Sequence, residues 1–238
     1  DIIPFSTIYK DNIQTEYDKY FAEYIDIGGS ERITHIQKLK AFLRIMYNFD
    51  AKTKFGALLD DTNPDLVWGF GVHRHLSPSI FIEAKKRSIP VVHRLSDYAI
   101  ICPNSRLKRS DGSVCSELLC PLQGYHNALK YKCVTRSNSD LSPKVPSISA
   151  SFVGALELYL HNKFNAYRNN VDKFIAPSNF LRNVMIKTGI SPEKIVHIPI
   201  FIDASKYEPN YQSFPYFLFF GRLTEEKGLK VLLEAMSN

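Results

Sequence analysis

Apolar residues along this chain fall into two alternating rhythms. Short apolar runs bounded by turn residues stand at Leu66–Phe70, Ile89–His93, Val171–Ser178 (ending in Pro-Ser) and Lys194–Asp203, and an aromatic one at Tyr216–Phe220. These suit buried parallel strands better than helices. Between them, apolar residues recur every three or four positions. Ile33, Ile36, Leu39, Phe42, Leu43 and Met46 mark one helical run over about 30–59, and Ser77 with Pro78 caps a helix through Ile82 and Ala84. Phe152 to Tyr167 reads as a helix with Leu156, Tyr159, Leu160, Phe164 and Tyr167 on one side. Phe180 to Thr188 reads as another, capped by Ser178 and stopped by Gly189. Leu229, Leu232, Leu233 and Met236 predict a last helix starting near Lys227-Gly228. Near the start, Ile2–Phe5 is strand-like, and Tyr17, Tyr20, Phe21 and Tyr24 are spaced as on a helix. Gly28–Ser30 and the Ser/Pro-rich stretch Ser137–Ser151 are loops. Strand and helix in this rhythm predict an α/β fold with a parallel sheet covered on both faces.

A hydrophobic share of 45% over 238 residues supports a real core, and the net charge of +6 favours anionic partners. The cations are scattered, with only short clusters at Lys85-Lys86-Arg87 and Arg106–Arg109, which argues against a nucleic-acid face. No apolar run reaches bilayer-spanning length and no leader pattern opens the chain. Together these predict a soluble, cytoplasmic protein. The chain opens on Asp1 and stops soon after beginning a new α/β unit, so it reads as a fragment with sequence missing at both ends.

Three stretches carry candidate chemistry. Gly221 follows an apolar run and precedes a helix, with Arg222 and Lys227 on either side of the turn and Gly228 at the helix start. A guanidinium grips a diphosphate bidentately and an ammonium adds a point charge. The turn matches neither a P-loop nor the Gly-x-Gly-x-x-Gly fingerprint, and spacing by itself favours an ordinary strand–loop–helix with solvated charges. His73 and His75 follow a strand end and read as a polar cleft wall rather than a metal site, because no nearby carboxylate or cysteine completes a set. The loop after the next strand runs His93-Arg94-Leu95-Ser96-Asp97-Tyr98 and on to Cys102-Pro103-Asn104. Asp97 there either orients a bound hydroxyl or braces the loop. Cys102, Cys115, Cys120 and Cys133 are either reduced thiols or ligands of one structural metal.

Gly221-Arg222-Leu-Thr-Glu-Glu-Lys227-Gly228 followed by Leu-Leu-Glu-Ala resembles the signature that opens the second domain of family 4 glycosyltransferases. Asp97-Tyr98 with Cys102-Pro103-Asn104 is similar to that family's acceptor-side loop, although Ser96 stands where the usual pattern has His. A serine donates a hydrogen bond but carries no proton near neutrality. Residues 171–203 also resemble the end of the family's first domain, and Trp68 departs from a common His. The resemblance implies a GT-B fold of two Rossmann-like domains, with residues 1–203 as most of the first, 204–215 as the hinge and 216–238 as the start of the second.

The resemblance further implies a retaining glycosyltransferase that moves a sugar from a nucleotide-diphosphate sugar to a saccharide or lipid-linked acceptor, in cell-surface polysaccharide synthesis. No cofactor or acidic-motif metal is implied. Gly221, Arg222, Lys227 and Gly228 would hold the donor diphosphate, with Arg94, Ser96, Tyr98, His73 and Ser178 lining the acceptor cleft and Asp97 orienting the acceptor. Peripheral contact with the cytoplasmic face of a membrane is implied, and nucleic acid is not. The alternative is a non-catalytic sugar- or lipid-binding scaffold of the same fold. The family's Glu-x7-Glu motif, which holds the donor's sugar and ribose, lies past Asn238, so the purified 238-residue chain is predicted to show no sugar transfer; turnover in a labelled-donor assay would overturn this.

Overall fold

The computed structural model describes residues 1–24, 34–116, 119–136, 145–223 and 227–237. The Gly28–Ser30 break, the start of the 30–59 run, the first part of the Ser/Pro-rich loop and Thr224–Glu226 of the glycine–arginine segment lie outside them. In chain order the first elements are α1 (His35–Met46), α2 (Phe49–Thr62), β1 (Val67–Phe70), α3 (Ser79–Lys86) and β2 (Val91–Arg94). Then come α4 (Leu119–Leu122), α5 (His126–Lys130), β3 (Thr135–Arg136), β4 (Val145–Pro146) and α6 (Ile148–Lys163). β5 (Lys173–Ala176), α7 (Asn179–Lys187), β6 (Ile195–His197) and α8 (Leu229–Met236) complete the series. The contacts divide the chain into two units, Asp1–Ile200 and Phe201–Asn238.

The first unit is built on a four-stranded sheet in the order β1-β2-β5-β6, every pairing parallel. Parallel neighbours need a crossover segment between them, and α3, α6 and α7 lie in those crossovers. In register, Gly69, His93, Phe174 and Ile195 fall in one row across the sheet, so their side chains share a face. Phe81 of α3 lies over that row, fully buried. A Cβ built on Gly69 would come within 2.6 Å of the Phe81 ring, so only glycine lets α3 sit this close. The Phe81 and His93 ring centroids are 5.2 Å apart, and Tyr167 stacks on His93 at 5.9 Å.

The other face differs from the expected double cover. Trp68 and Phe70 of β1 are more than half exposed, and the Arg94 guanidinium stands 5.1 Å from the Phe70 ring. β1 is an edge strand with alternating burial, the pattern of a half-covered sheet rather than one buried on both sides.

Local signals explain the helices, and they also correct several expectations. Thr34 and Gln37 form a reciprocal capping box at the start of α1. The single run expected over 30–59 is two helices, because Asn48 adopts an extended backbone and caps α2, its Oδ1 accepting from Ala51 N at 3.1 Å. Asn48 N donates to Ser77 Oγ at 3.0 Å, Asn48 Nδ2 donates to His75 O at 2.6 Å and Ser79 Oγ donates to Asn48 O at 3.0 Å. Asn48, Ser77 and Ser79 are all fully buried, and a buried polar cluster of this kind holds only when its members satisfy each other. Ser77 is therefore not a conventional cap: it takes φ +54 and α3 begins at Ser79. The apolar residues Ile36, Leu39 and Leu43 of α1 stay exposed.

Tyr17–Tyr24 forms one 3-10 turn, Asp18–Tyr20, after which Ala22 bridges Thr7 in parallel. β6 occupies only three residues of the apolar run over 194–203. In the second unit, Tyr216–Phe220 carries no strand, and Tyr216, Phe217, Leu218 and Phe220 are between 65% and 97% exposed. A strand needs a neighbour for its N–H and C=O groups, and none is assigned to this unit among the described residues. α8 follows Gly228, which takes φ +70, as the periodicity predicts.

Replacing Gly69 by Ala should destabilise the protein by about 1–3 kcal/mol through overpacking against Phe81, read as a lower midpoint in denaturant at unchanged slope. Phe81→Leu in the same background should recover part of that loss.

Candidate functional site

The parallel strands β1 and β2 deliver two loops, Gly71–Leu76 and Leu95–Asn104, to the same carboxyl edge of the sheet, where open α/β sheets place ligands. Three contacts hold these loops together. Tyr167 Oη donates to Val72 O at 3.0 Å. Arg74 Nη2 donates to Pro103 O at 2.7 Å, tying one loop to the other. Pro103 in turn packs on Gly154 of α6, where an added Cβ would meet it at 3.2 Å.

That close approach brings a carboxylate in from below. Glu157 of α6 is 4% exposed, and its Oε2 lies 3.8 Å from Arg74 Nε. Burial pushes the Glu157 carboxyl up to about 7, with Arg74 opposing the rise. One turn on, His161 Nε2 donates to Met46 O at 2.9 Å, while its buried Nδ1 has no hydrogen-bond partner among the described residues. His93 is nearly fully buried among Phe81, Tyr167 and Phe174. Burial depresses it to about 3, with the His73 charge adding to the effect, so it is a neutral ring near pH 7.

The predicted acceptor-side residues divide. His73 and Asp97 come within electrostatic reach: burial lowers the His73 pKa, and Asp97 opposes that fall. Burial also raises the Tyr98 hydroxyl, and Tyr98 packs against the main core. Asp97 Oδ1 accepts from Ala99 N at 2.7 Å, so it braces its loop while standing at the edge. Ser96 is exposed beside it, and Arg94 lies over Phe70 on the less covered sheet face. Ser178 caps α7, its Oγ accepting from Leu181 N at 3.2 Å, which accounts for its side chain without a ligand. His75 stacks on Tyr24 at 5.1 Å. Gly221, Arg222, Lys227 and Gly228 all belong to the second unit, where Arg222 and Lys227 are exposed at the approach to α8.

Arg74, Glu157, His161 and Tyr167 join the site although the sequence reading assigned none of them a role there. The readable signal was Glu157, a lone acid inside the apolar run over 152–160. α6 also buries a different face from the one expected: Ser151, Gly154, Ala155, Glu157, Leu158 and His161 are buried, while Phe152 and Phe164 are exposed.

Chemically, the edge offers hydrogen-bonding groups of both signs, His73, Arg74 and Asp97 among them, above the buried Glu157. Among the described residues no group of three or more His, Cys, Asp or Glu is arranged to hold a metal ion, and no helix is long and apolar enough to cross a membrane. Comparison of the chain with models of known families, with curated proteins and with solved structures finds no match.

The buried carboxyl makes a signed prediction. In the unfolded chain Glu157 ionises near 4.5, and in the folded protein near 7. Its protonated form is thus favoured by folding, so its contribution to stability is fully present below 4.5 and lost as pH rises through 7. Glu157→Gln should remove that dependence. The stability of the native protein relative to the variant should fall between pH 5 and pH 8, by at most roughly 3 kcal/mol, measured by denaturant titration at both values.

Proposed function

We propose that this protein transfers a sugar from a nucleotide-diphosphate donor to the hydroxyl of a saccharide or lipid-linked acceptor, as part of surface-polysaccharide synthesis on the cytoplasmic face of a membrane. It would be a retaining glycosyltransferase of the GT-B type, with its first Rossmann-like domain on the acceptor side. The observation that most supports this reading is the joining of the β1 and β2 exit loops, through Arg74 and Pro103, into one polar edge that carries His73 and Asp97.

In this reading the acceptor hydroxyl donates to Asp97, whose remaining oxygen is free of the loop-bracing role, while His73, Arg94, Ser96 and Tyr98 contact neighbouring hydroxyls. Departure of the nucleoside diphosphate builds negative charge on its phosphates. Arg222 and Lys227, with the backbone at Gly221 and Gly228, offset that charge, and the largest share of catalysis comes from such prearranged stabilisation. No cofactor is needed for this step, only the nucleotide sugar.

The test uses the protein as its gene encodes it, assayed with labelled nucleotide sugars against lipid-linked and free saccharide acceptors. Arg222→Ala and Lys227→Ala should each lower kcat/KM by about 10²–10³-fold with the fold intact, in line with the loss of a charge-stabilising donor. Asp97→Asn should reduce transfer while leaving nucleoside diphosphate affinity unchanged. Undiminished transfer in the cation variants would overturn the donor assignment. Unchanged polysaccharide formation in cells carrying them would favour the sugar-binding scaffold instead.

A further inference from the structure

The segment from Cys102 to Cys133 leaves the sheet edge with little apolar material of its own. Its buried cluster is Tyr125 and Ala128 packed on Ala155 and Leu158 of α6, with Cys120 and Leu129 against them. α4 and α5 are only four and five residues long, and helices of one turn do not persist without tertiary support. Into this gap the chain places all four of its cysteines.

Cys115, Cys120 and Cys133 line one cavity, together with Arg109, Asn127 and Tyr131. The four thiols form a complete set of neighbours: each of them lies within electrostatic reach of the other three. Their backbones are pinned independently of the sulfurs. Cys115 N donates to Leu107 O at 2.7 Å, Tyr125 N to Cys120 O at 3.0 Å, and Cys133 N to Ala128 O at 3.0 Å. Asn104 joins the first cysteine to the last, accepting from Cys102 Sγ at 3.0 Å and donating to Cys133 O at 2.9 Å.

We propose that Cys102, Cys115, Cys120 and Cys133 form a structural site for one zinc ion, bound as a tetrathiolate. The side chains are near one another rather than already arranged as ligands, and rotation between staggered χ1 wells re-aims a sulfur while the backbone stays in place. Each sulfur then sits about 2.3 Å from the ion in tetrahedral array. Four Cys S–H bonds break, four protons leave to solvent and four Zn–S bonds form, with no change of oxidation state. The centre carries two net negative charges. Arg109 on the cavity wall offsets part of them, and Asp111, which also bears on Cys133, opposes it. Because binding releases four thiol protons, it should weaken steeply as pH falls. The ion does for this segment what a larger apolar core does for the sheet, and it fixes the loop that presents Asp97 and Pro103.

The test is metal analysis of the protein purified without added chelator, together with thiol titration. One zinc per chain is expected, with the four thiols at least 100-fold slower to react with a disulfide reagent than after strong chelation. Re-addition of zinc alone should restore that protection and raise the thermal midpoint. Cobalt added to the chelated protein should give the visible bands of a tetrahedral tetrathiolate. Cys115→Ser and Cys120→Ser should each lose the bound zinc, and chelation of the unmutated protein gives the same readout if these variants fail to fold. Four fast-reacting thiols in protein without zinc, unprotected when zinc is added, would overturn the site. So would a pair of disulfides, or an iron–sulfur chromophore in place of zinc. None of these outcomes depends on whether the protein transfers sugar.

Discussion

The missing side chain at Gly69 is the constraint from which much of the first unit follows. It lets the Phe81 ring descend onto the sheet, closer than any Cβ permits, and the contact sets the height of α3 above β1 and β2. At that height His93 is enclosed by Phe81, Tyr167 and Phe174 and sheds its charge. Tyr167, stacked on His93, is then held where its hydroxyl reaches Val72 O, which fixes where the chain leaves β1. A packing requirement at one strand position thus becomes the geometry of a polar edge several residues away.

A second close approach works in the same way on the other side. Ser151, Gly154 and Ala155 give α6 a smooth strip, and Pro103 settles against it. Only because the helix comes so near does Glu157 reach Arg74. Glu157 is buried while Arg74 stays partly exposed, and the desolvation of the carboxylate offsets much of the attraction, so the pair contributes little net stability. Its value lies in position: Arg74 is held between Glu157 and Pro103 O, which ties the two loops to each other.

Much of the alternation of strands and helices was legible, because short β-branched runs and helical spacing survive in any context. β1, β2, β5, α7 and α8 lie where the pattern puts them, within two residues at their ends. The errors have physical causes. α6 is apolar nearly all round, so periodicity could not choose its buried face, and small residues decided it by allowing approach. The run over 30–59 looked continuous because Asn48 interrupts it without a glycine or proline to announce the break. Tyr216–Phe220 has the composition of a strand, yet composition does not supply a hydrogen-bonding neighbour. Of the site, the loop bearing Asp97 was legible from its position after a strand. Glu157 showed only as a lone acid in an apolar run, and its pairing with Arg74 was not legible, since it joins residues more than eighty positions apart in sequence.

The strands stand side by side in the order in which they occur along the chain. A growing chain can therefore assemble the sheet from one edge, each new strand docking on the one before it, with no earlier pair having to part. β1 joins β2 through a short crossover, and β5 joins β6 through another. The joint between β2 and β5 must wait until the whole intervening excursion, cysteine segment and α6 included, has emerged and closed its long loop. During synthesis β2 then spends its longest interval as an open edge, and the order in which the excursion settles governs how long that edge stays exposed to other chains.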